Sequence, residues 1–339
     1  MSTLAERASL AGYRTGWSVA RRMPDRMAYR TFDLIADVVW RRRGKGVTRM
    51  RSNYATVRPE LGPDELDALV RAGMRSYLRY WCESFRLPDA SVQDLIDGVR
   101  AVGDDAVRAQ LQSGGSAVAF LGHIGNWDFG GAWSTTQLAP VTTVAERLKP
   151  EELFDEFLAF REGLGMRILP LTGGSDVFRE LTKACRSGAL VALLADRDLT
   201  KGGIEVDFCG HRARMAVGPA ALALNTGAAL FPCMVHYEPH PSGCGWRTVV
   251  TFHDAIAIPA QGTSREKIQA MTQACADVLS QAVLEHTEDW HMMQRVFTKD
   301  LDERAAEPGG GTKPAGELTL DLTRAAETQT DESKAGELG

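Results

Sequence analysis

Nothing in this chain resembles a run of about 18 uncharged apolar residues, so no segment is expected to span a bilayer. The N-terminus also lacks the short uninterrupted apolar core of a secretory signal, because Arg14, Arg21 and Arg22 break every candidate run. Cysteine is sparse. The six that occur, Cys82, Cys185, Cys209, Cys233, Cys244 and Cys275, form no Cys-x-x-Cys pair and no regular spacing. That argues against a zinc cage or a disulfide framework and fits a reducing compartment. A phosphate-binding P-loop and a dinucleotide fingerprint are missing, as is the Gly-x-Ser-x-Gly elbow of a serine hydrolase. His236-Tyr237-Glu238-Pro239-His240 offers two histidines but no third ligand, and with Pro239 and Pro241 it reads as a loop. No metal site is expected.

What is present belongs to a folded protein: 339 residues with 44% hydrophobic content can build a large core. The net charge of −5 conceals an asymmetry. Twelve basic residues from Arg14 to Arg58 crowd the head of the chain, whereas Glu303, Glu307, Glu317, Asp321, Glu327, Asp331, Glu332 and Glu337 follow Asp300. Between Tyr13 and Trp40, large apolar residues including Trp17, Met27, Phe32, Leu34, Ile35, Val38 and Trp40 alternate with arginines in two helical stretches parted by Pro24. This composition suits a helix lying in anionic lipid headgroups better than the alternative, a helix packed on a domain with its arginines in water. Nucleic-acid binding by the basic head is disfavoured. Its aromatics are mixed with Leu, Ile and Val at helical spacing and form no stacking platform.

Further along, Pro63-Asp64-Glu65 opens a helix expected to run to Arg86, with apolar residues at helical spacing and an aromatic end, Tyr80 to Phe85, that reads as core. Short apolar runs then read as buried strands: 116–122, 166–169, 189–195, 229–235 and 248–252. Helical patterns separate several of them, at 150–164, 176–187 and 218–226, and a last helix spans 264–285. Strand and helix in alternation predict an α/β fold, a central mostly parallel mixed sheet flanked by helices. Beyond about residue 303 the Glu-, Gly-, Pro- and Thr-rich composition cannot bury enough apolar surface to order itself. The expected organisation is a basic amphipathic, membrane-docking helical region over 1–50, an α/β domain over 51–302 and an acidic disordered tail over 303–339.

The chemistry is expected where the first buried run ends. Gly122-His123-Ile124-Gly125-Asn126-Trp127-Asp128 delivers His123 just past a strand's carboxyl end, where open α/β sheets place their ligands. Five residues on, Asp128 would point about 140° away from His123 in a regular helix, so the two can meet only across a turn. A carboxylate on one ring nitrogen would leave the other as a base able to activate a hydroxyl for attack on a thioester. A His-x4-Asp spacing is a weak signal alone, and a histidine satisfied in a strand-end hydrogen-bond network is the competing reading. Asp196-Arg197-Asp198 leaves the run 190–195 in the same manner and can converge on His123. Arg161 could instead pair with Glu162 or Asp155 on its own helix. Arg147, Lys149, Lys201, Arg212 and Arg214 are cations suited to phosphates.

Several ordered blocks carry a resemblance over roughly Tyr13 to Phe297. They are the His123 motif; Glu146-Arg147-Leu148-Lys149-Pro150 with Phe160-Arg161-Glu162-Gly163-Leu164-Gly165; Ala195-Asp196-Arg197-Asp198-Leu199-Thr200; and Ala216-Val217-Gly218-Pro219-Ala220-Ala221-Leu222-Ala223. Together they resemble the bacterial lipid acyltransferases of the lipid A late-acyltransferase type, and within it the phosphatidylinositol mannoside acyltransferases of actinobacteria. The resemblance implies a glycerolipid acyltransferase-like fold and a base at His123. It makes Asp128 a residue that orders the motif, and sets a second acid, Asp196 or its neighbour Asp198, beside the histidine. It places Arg161 near the acyl thioester, includes Glu146 in the substrate site, and puts Gly202 and Asn225 at donor-contacting positions where larger polar or basic residues are usual.

The same resemblance implies acyl-CoA as co-substrate with no cofactor, palmitoyl as the transferred group, and a mannose hydroxyl of phosphatidylinositol mannoside as acceptor. It sets the protein peripherally on the cytoplasmic side of the cell inner membrane. Two rival functions stay open: acyl transfer to another glycolipid or a lysophospholipid, and lipid binding without catalysis.

Overall fold

The computed structural model describes residues 17–145, 151–171, 176–199, 202–243 and 245–301. Glu146, Arg147, Lys149, Lys201 and the acidic tail expected from residue 303 lie outside the described residues, as does the head of the chain before Trp17.

The expected α/β layering is present. Seven strands, β1 (Val99–Val102), β2 (Ala117–Leu121), β3 (Val141–Ala145), β4 (Arg167–Pro170), β5 (Leu190–Leu194), β8 (Ala229–Pro239) and β9 (Trp246–Phe252), form one sheet in the order β1-β9-β8-β2-β5-β3-β4. Every neighbouring pair is parallel except β8 with β9. The remaining two, β6 (Ile204–Phe208) and β7 (His211–Met215), pair as a separate antiparallel hairpin. β2 and β5 sit at the centre of the sheet. Helices cover both faces, so their apolar runs are buried with little alternation.

One correction concerns the segment His236 to Pro239, expected as a loop. It continues β8, because β9 runs antiparallel beside it and pairs His236 with Val249 and Tyr237 with Thr248. Pro239 closes the strand, where a missing amide disturbs no central ladder.

Helices form where periodicity and end signals coincide. α3 (Pro63–Arg86) has Pro63 in its first turn, and the Glu65 carboxylate accepts the N–H of Gly62. α10 (Ser264–Glu285) is capped by Thr263, whose hydroxyl accepts the N–H of Glu266. Between α1 (Asp25–Arg42) and α3, Asp37 is buried and held by Arg71 and Arg75. α2 (Lys45–Val57) crosses residue 50 and sends Met50 and Tyr54 into the main core. α4 (Val92–Gly98), α5 (Asp105–Gln112), α6 (Trp127–Gln137), α7 (Glu151–Gly163), α8 (Val177–Arg186) and α9 (Gly218–Thr226) complete the layers. Among the described residues no helix is long and apolar enough to cross a membrane.

This topology positions the site. β2 and β5 are parallel neighbours whose last residues, Leu121 and Leu194, lie in register. His123 and Asp196 each follow two residues later, so both leave the sheet at the same level.

Candidate active site

The turn after β2 is shaped by close backbone approach. Gly125 has φ of +62°, and a Cβ there would lie 2.5 Å from the carbonyl oxygen of Val235, so no other residue fits without displacement. Asn126 then caps α6, its Oδ1 accepting the Phe129 N–H at 3.0 Å. The resulting geometry turns the His123 ring toward Asp196. Nδ1 of His123 lies 2.5 Å from Asp196 Oδ1, and the His123 backbone N–H donates to Oδ2 at 2.8 Å.

A third donor, the Trp290 indole N–H, reaches Oδ2 at 3.1 Å. Asp196 is wholly buried. Burial alone would push its carboxyl up, but the His123 charge and these hydrogen bonds outweigh it and hold the carboxyl below its ordinary value. An ionised carboxylate only accepts, so in the neutral imidazole the proton sits on Nδ1. Nε2 is then the unprotonated nitrogen, and it makes no hydrogen bond among the described residues.

Asp128 takes the other role. Across the turn it meets Arg161 and not His123: Arg161 Nε donates to Oδ1 at 2.8 Å and Nη2 to Oδ2 at 3.0 Å, while the Tyr80 hydroxyl donates to Oδ2 at 2.7 Å. The bidentate pair is largely buried. Burial opposes the guanidinium's charge, yet Asp128 keeps its pKa above the ordinary arginine value. The pair therefore clamps α7 and α3 onto the first turn of α6. A surface pairing of Arg161 with Glu162 or Asp155 does not occur. Tyr80, read from sequence as core, is a site residue whose hydroxyl supports Asp128.

A strap following α10 closes the turn from the other side. The Gly125 N–H donates to the Asp289 carbonyl at 2.9 Å, Ile124 bridges Trp290, and the His291 N–H donates to the His123 carbonyl at 2.8 Å. Under the strap, Ser76 Oγ donates to Asp289 Oδ1 at 2.6 Å and meets His291 Nε2 at 2.9 Å. Burial depresses His291 to about 3, so its ring stays neutral. Sequence reasoning passed over Trp290 and His291. Their only signal was an aromatic pair placed just after the last helix.

His123, Trp127, Tyr80, Arg161 and His291 line one cavity of about 590 Å³. Val144, Ile168, Leu171, Val177, Phe178 and Leu181, all apolar, line it too. Its size falls within the ~300–1,000 Å³ of small-molecule sites. Arg197 lines it as well. Asp198 does not take the His123 ring: its backbone N–H donates to the Arg214 carbonyl at 2.8 Å, and Asp196 is the acid at the histidine. Gly202, in the turn before β6, and the exposed Asn225 near the end of α9 are outside the cavity lining. Arg212 and Arg214 are paired with Asp207 and Glu205 on the β6–β7 hairpin. Glu146 is outside the described residues.

The family model for bacterial lipid A biosynthesis acyltransferase matches residues 8–299. The phosphatidylinositol mannoside acyltransferase of Mycolicibacterium smegmatis is 41% identical over 300 residues, which cover 88% of this chain and 94% of that protein. Its counterpart by name from Mycobacterium tuberculosis is 39% identical over 305 residues, covering 89% and 92%.

Proposed function

The chain belongs to the bacterial lipid A biosynthesis acyltransferase family, and from that premise we propose that it transfers a palmitoyl group from its coenzyme A thioester to a mannose hydroxyl of a phosphatidylinositol mannoside, with His123 as general base. The acceptor class comes from the names of the mycobacterial relatives. One observation carries the base assignment: a buried carboxylate holds the proton on Nδ1, and Nε2 is left for a cavity that His123 lines.

A hydroxyl is a poor nucleophile until a base takes its proton as it attacks. Nε2 accepts that proton, the sugar oxygen bonds to the thioester carbonyl carbon, and the imidazolium so formed is stabilised by Asp196. Collapse of the tetrahedral intermediate breaks the carbon–sulfur bond, and the imidazolium returns its proton to the departing thiolate. No covalent enzyme intermediate and no cofactor are needed, since the donor is already activated. The apolar lining from Val144 to Leu181 would hold the acyl chain, and Leu158 and Arg161, three residues apart on α7, line the same cavity.

Membrane docking belongs to the same reading. One face of α1 packs inward through Ala28 and Ala36, while Met27, Leu34, Ile35 and Val38 point to solvent near the exposed Arg30 and Arg41. An exposed apolar stripe flanked by arginines suits anionic headgroups and supports peripheral docking, and on this reading the protein lies on the cytoplasmic face of the inner membrane. Leu34→Glu with Val38→Glu should weaken sedimentation with anionic vesicles while leaving the fold intact. Unchanged sedimentation of that double variant refutes the docking assignment.

The decisive test offers purified protein mixed acyl-coenzyme A donors and an actinobacterial lipid extract, with mass spectrometry of the newly acylated lipid. Palmitoylated phosphatidylinositol mannoside is the expected product. A different acylated glycolipid overturns the acceptor. His123→Ala should abolish transfer yet still bind vesicles, and undiminished transfer by that variant overturns the base assignment.

A further inference from the structure

One face of α3 presents Ser76, Tyr80 and Glu83 at intervals of four and three residues, the spacing that stacks side chains along a helix. Tyr80 supports Asp128 and Ser76 supports the strap. Glu83, also buried, reaches the turn between them. Its Oε2 accepts the Asn126 Nδ2–H at 2.8 Å and the Tyr237 hydroxyl at 2.9 Å, and its Oε1 accepts the Tyr29 hydroxyl at 3.0 Å. Asn126 is the residue whose Oδ1 caps α6, so its amide is fixed at both ends, one on the helix it starts and one on Glu83. Asn126 lies between His123 and Asp128, the two residues whose separate partners define the site.

We propose that Glu83 is a positioning residue for acyl transfer: through Asn126 it fixes the turn that carries His123, and through Tyr29 it ties that turn to the helix Asp25–Arg42. The inference rests on His123 being the base. Glu83 touches neither His123 nor the cavity lining, and its effect passes through Asn126. Three donors converge on two oxygens. Removing the acceptor leaves buried donors unpaired and lets the capping amide rotate, which displaces the turn. An amide in place of the carboxyl keeps an oxygen toward Asn126 and Tyr237 and turns its NH2 to the Tyr29 oxygen, so Glu83→Gln preserves the geometry. Burial pushes the Glu83 carboxyl above its ordinary value against the pull of its donors, consistent with a site that tolerates a neutral group.

Four variants of the full chain separate positioning from simple packing: Glu83→Leu, Glu83→Gln, Asn126→Ser and Tyr237→Phe. Ser caps a helix as well as Asn but is too short to bridge to Glu83, so it cuts the same link at milder cost to the fold. For Glu83→Leu and Asn126→Ser, kcat should fall by ~10²-fold, with KM for the acyl donor little changed. Glu83→Gln should recover most of kcat. Tyr237→Phe, which removes a donor from the same oxygen without touching the turn, should leave kcat near the parent value.

Amide hydrogen exchange of residues 122–130 without substrate reads the same link independently of turnover. Faster exchange in Glu83→Leu, restored in Glu83→Gln, supports the positioning role even if the parent enzyme shows no transfer to the offered acceptor, an outcome that would refute the acceptor assignment alone. Parent-like exchange and kcat in folded Glu83→Leu and Asn126→Ser overturn it. So does an equal kcat loss in Tyr237→Phe.

Discussion

Replacing Asp196 by Asn tests the base assignment without removing any atom from His123. The carboxylate accepts three N–H groups, from the His123 ring, the His123 backbone and the Trp290 indole. An amide has one acceptor oxygen and one NH2. Facing the oxygen toward the backbone and indole donors satisfies two of the three contacts, whereas the flipped amide would point its NH2 at two N–H groups at once. The favoured orientation turns the NH2 toward Nδ1, which must then accept, and the proton moves to Nε2. The nitrogen offered to the cavity becomes a donor and cannot take a proton from a hydroxyl. In serine proteases the equivalent change of tautomer lowers kcat about 10⁴-fold, and a loss of ~10³- to 10⁴-fold is expected here. Stability should fall by only about 1–3 kcal/mol, the cost of replacing charge-assisted buried hydrogen bonds with neutral ones. Transfer of radiolabelled palmitoyl by single-turnover kinetics, alongside thermal unfolding, measures both. Combining Asp196→Asn with His123→Ala should cost no more than His123→Ala alone, since the two act as a unit. A folded Asp196→Asn enzyme within about 10-fold of the parent kcat, against that ~10³-fold expectation, refutes the reasoning.

Other consequences are more local. Arg161→Met leaves the buried Asp128 carboxylate with Tyr80 alone and should destabilise the protein by about 3–5 kcal/mol, with Asp128→Asn in the same chain recovering much of it in denaturant titrations. Gly125→Ala forces a Cβ to within 2.5 Å of the Val235 carbonyl at positive φ, and a loss of ~2 kcal/mol or more is expected by the same measurement. His291 sets an acid limit. Its folded pKa is depressed from 6.5 to about 3, so below pH 6.5 the unfolded chain takes up a proton that the folded ring refuses. Its contribution is intact above pH 6.5 and is lost as pH falls toward 3, by ~1.4 kcal/mol per unit, or about 2 kcal/mol by pH 5. Denaturation curves between pH 7 and 5 should show that slope flattened in His291→Gln, and an identical slope would count against a buried neutral ring.

The fold was legible wherever a segment carried its own signals. The helices at 63–86, 218–226 and 264–285 have caps or prolines at their starts and apolar spacing along their length, and they occur at those bounds. The central strands announced themselves as apolar runs because helices cover both their faces. β1 and β3 did not: Val99-Arg100-Ala101-Val102 is a four-residue edge strand carrying an arginine, and Val141 to Ala145 has two threonines. The β6–β7 hairpin shows the alternation of a half-buried ribbon, with Ile204, Val206 and Phe208 buried between exposed Glu205 and Asp207, but it is too short to stand out beside its glycines. β8 outran its apolar run because pairing with β9, a long-range contact, carried Tyr237 and Glu238 into the ladder.

The site was harder to read because its two carboxylates are told apart by partner and not by spacing. Asp128 stands five residues from His123 and Asp196 stands 73 away, yet Asp196 makes the contact, since β2 and β5 end in register and Asp128 begins a helix that points away. Their partners then assign different chemistry. Arg161 stays protonated at any accessible pH, so the negative charge of Asp128 is permanently offset and serves to clamp helices. Of the two acids' partners, His123 is the one whose charge can appear and vanish during the proposed reaction, and Asp196, contacted only by N–H donors, would favour that charge. Exchanging the partners would therefore exchange the roles. A chain carrying Arg161→His should leave Asp128 paired only at low pH, and its unfolding free energy should decline as pH rises through the titration of the new imidazole, whereas the parent is flat across that range at this pair. A stability profile of Arg161→His parallel to that of the parent would show that Asp128 is not held by the charge of its partner.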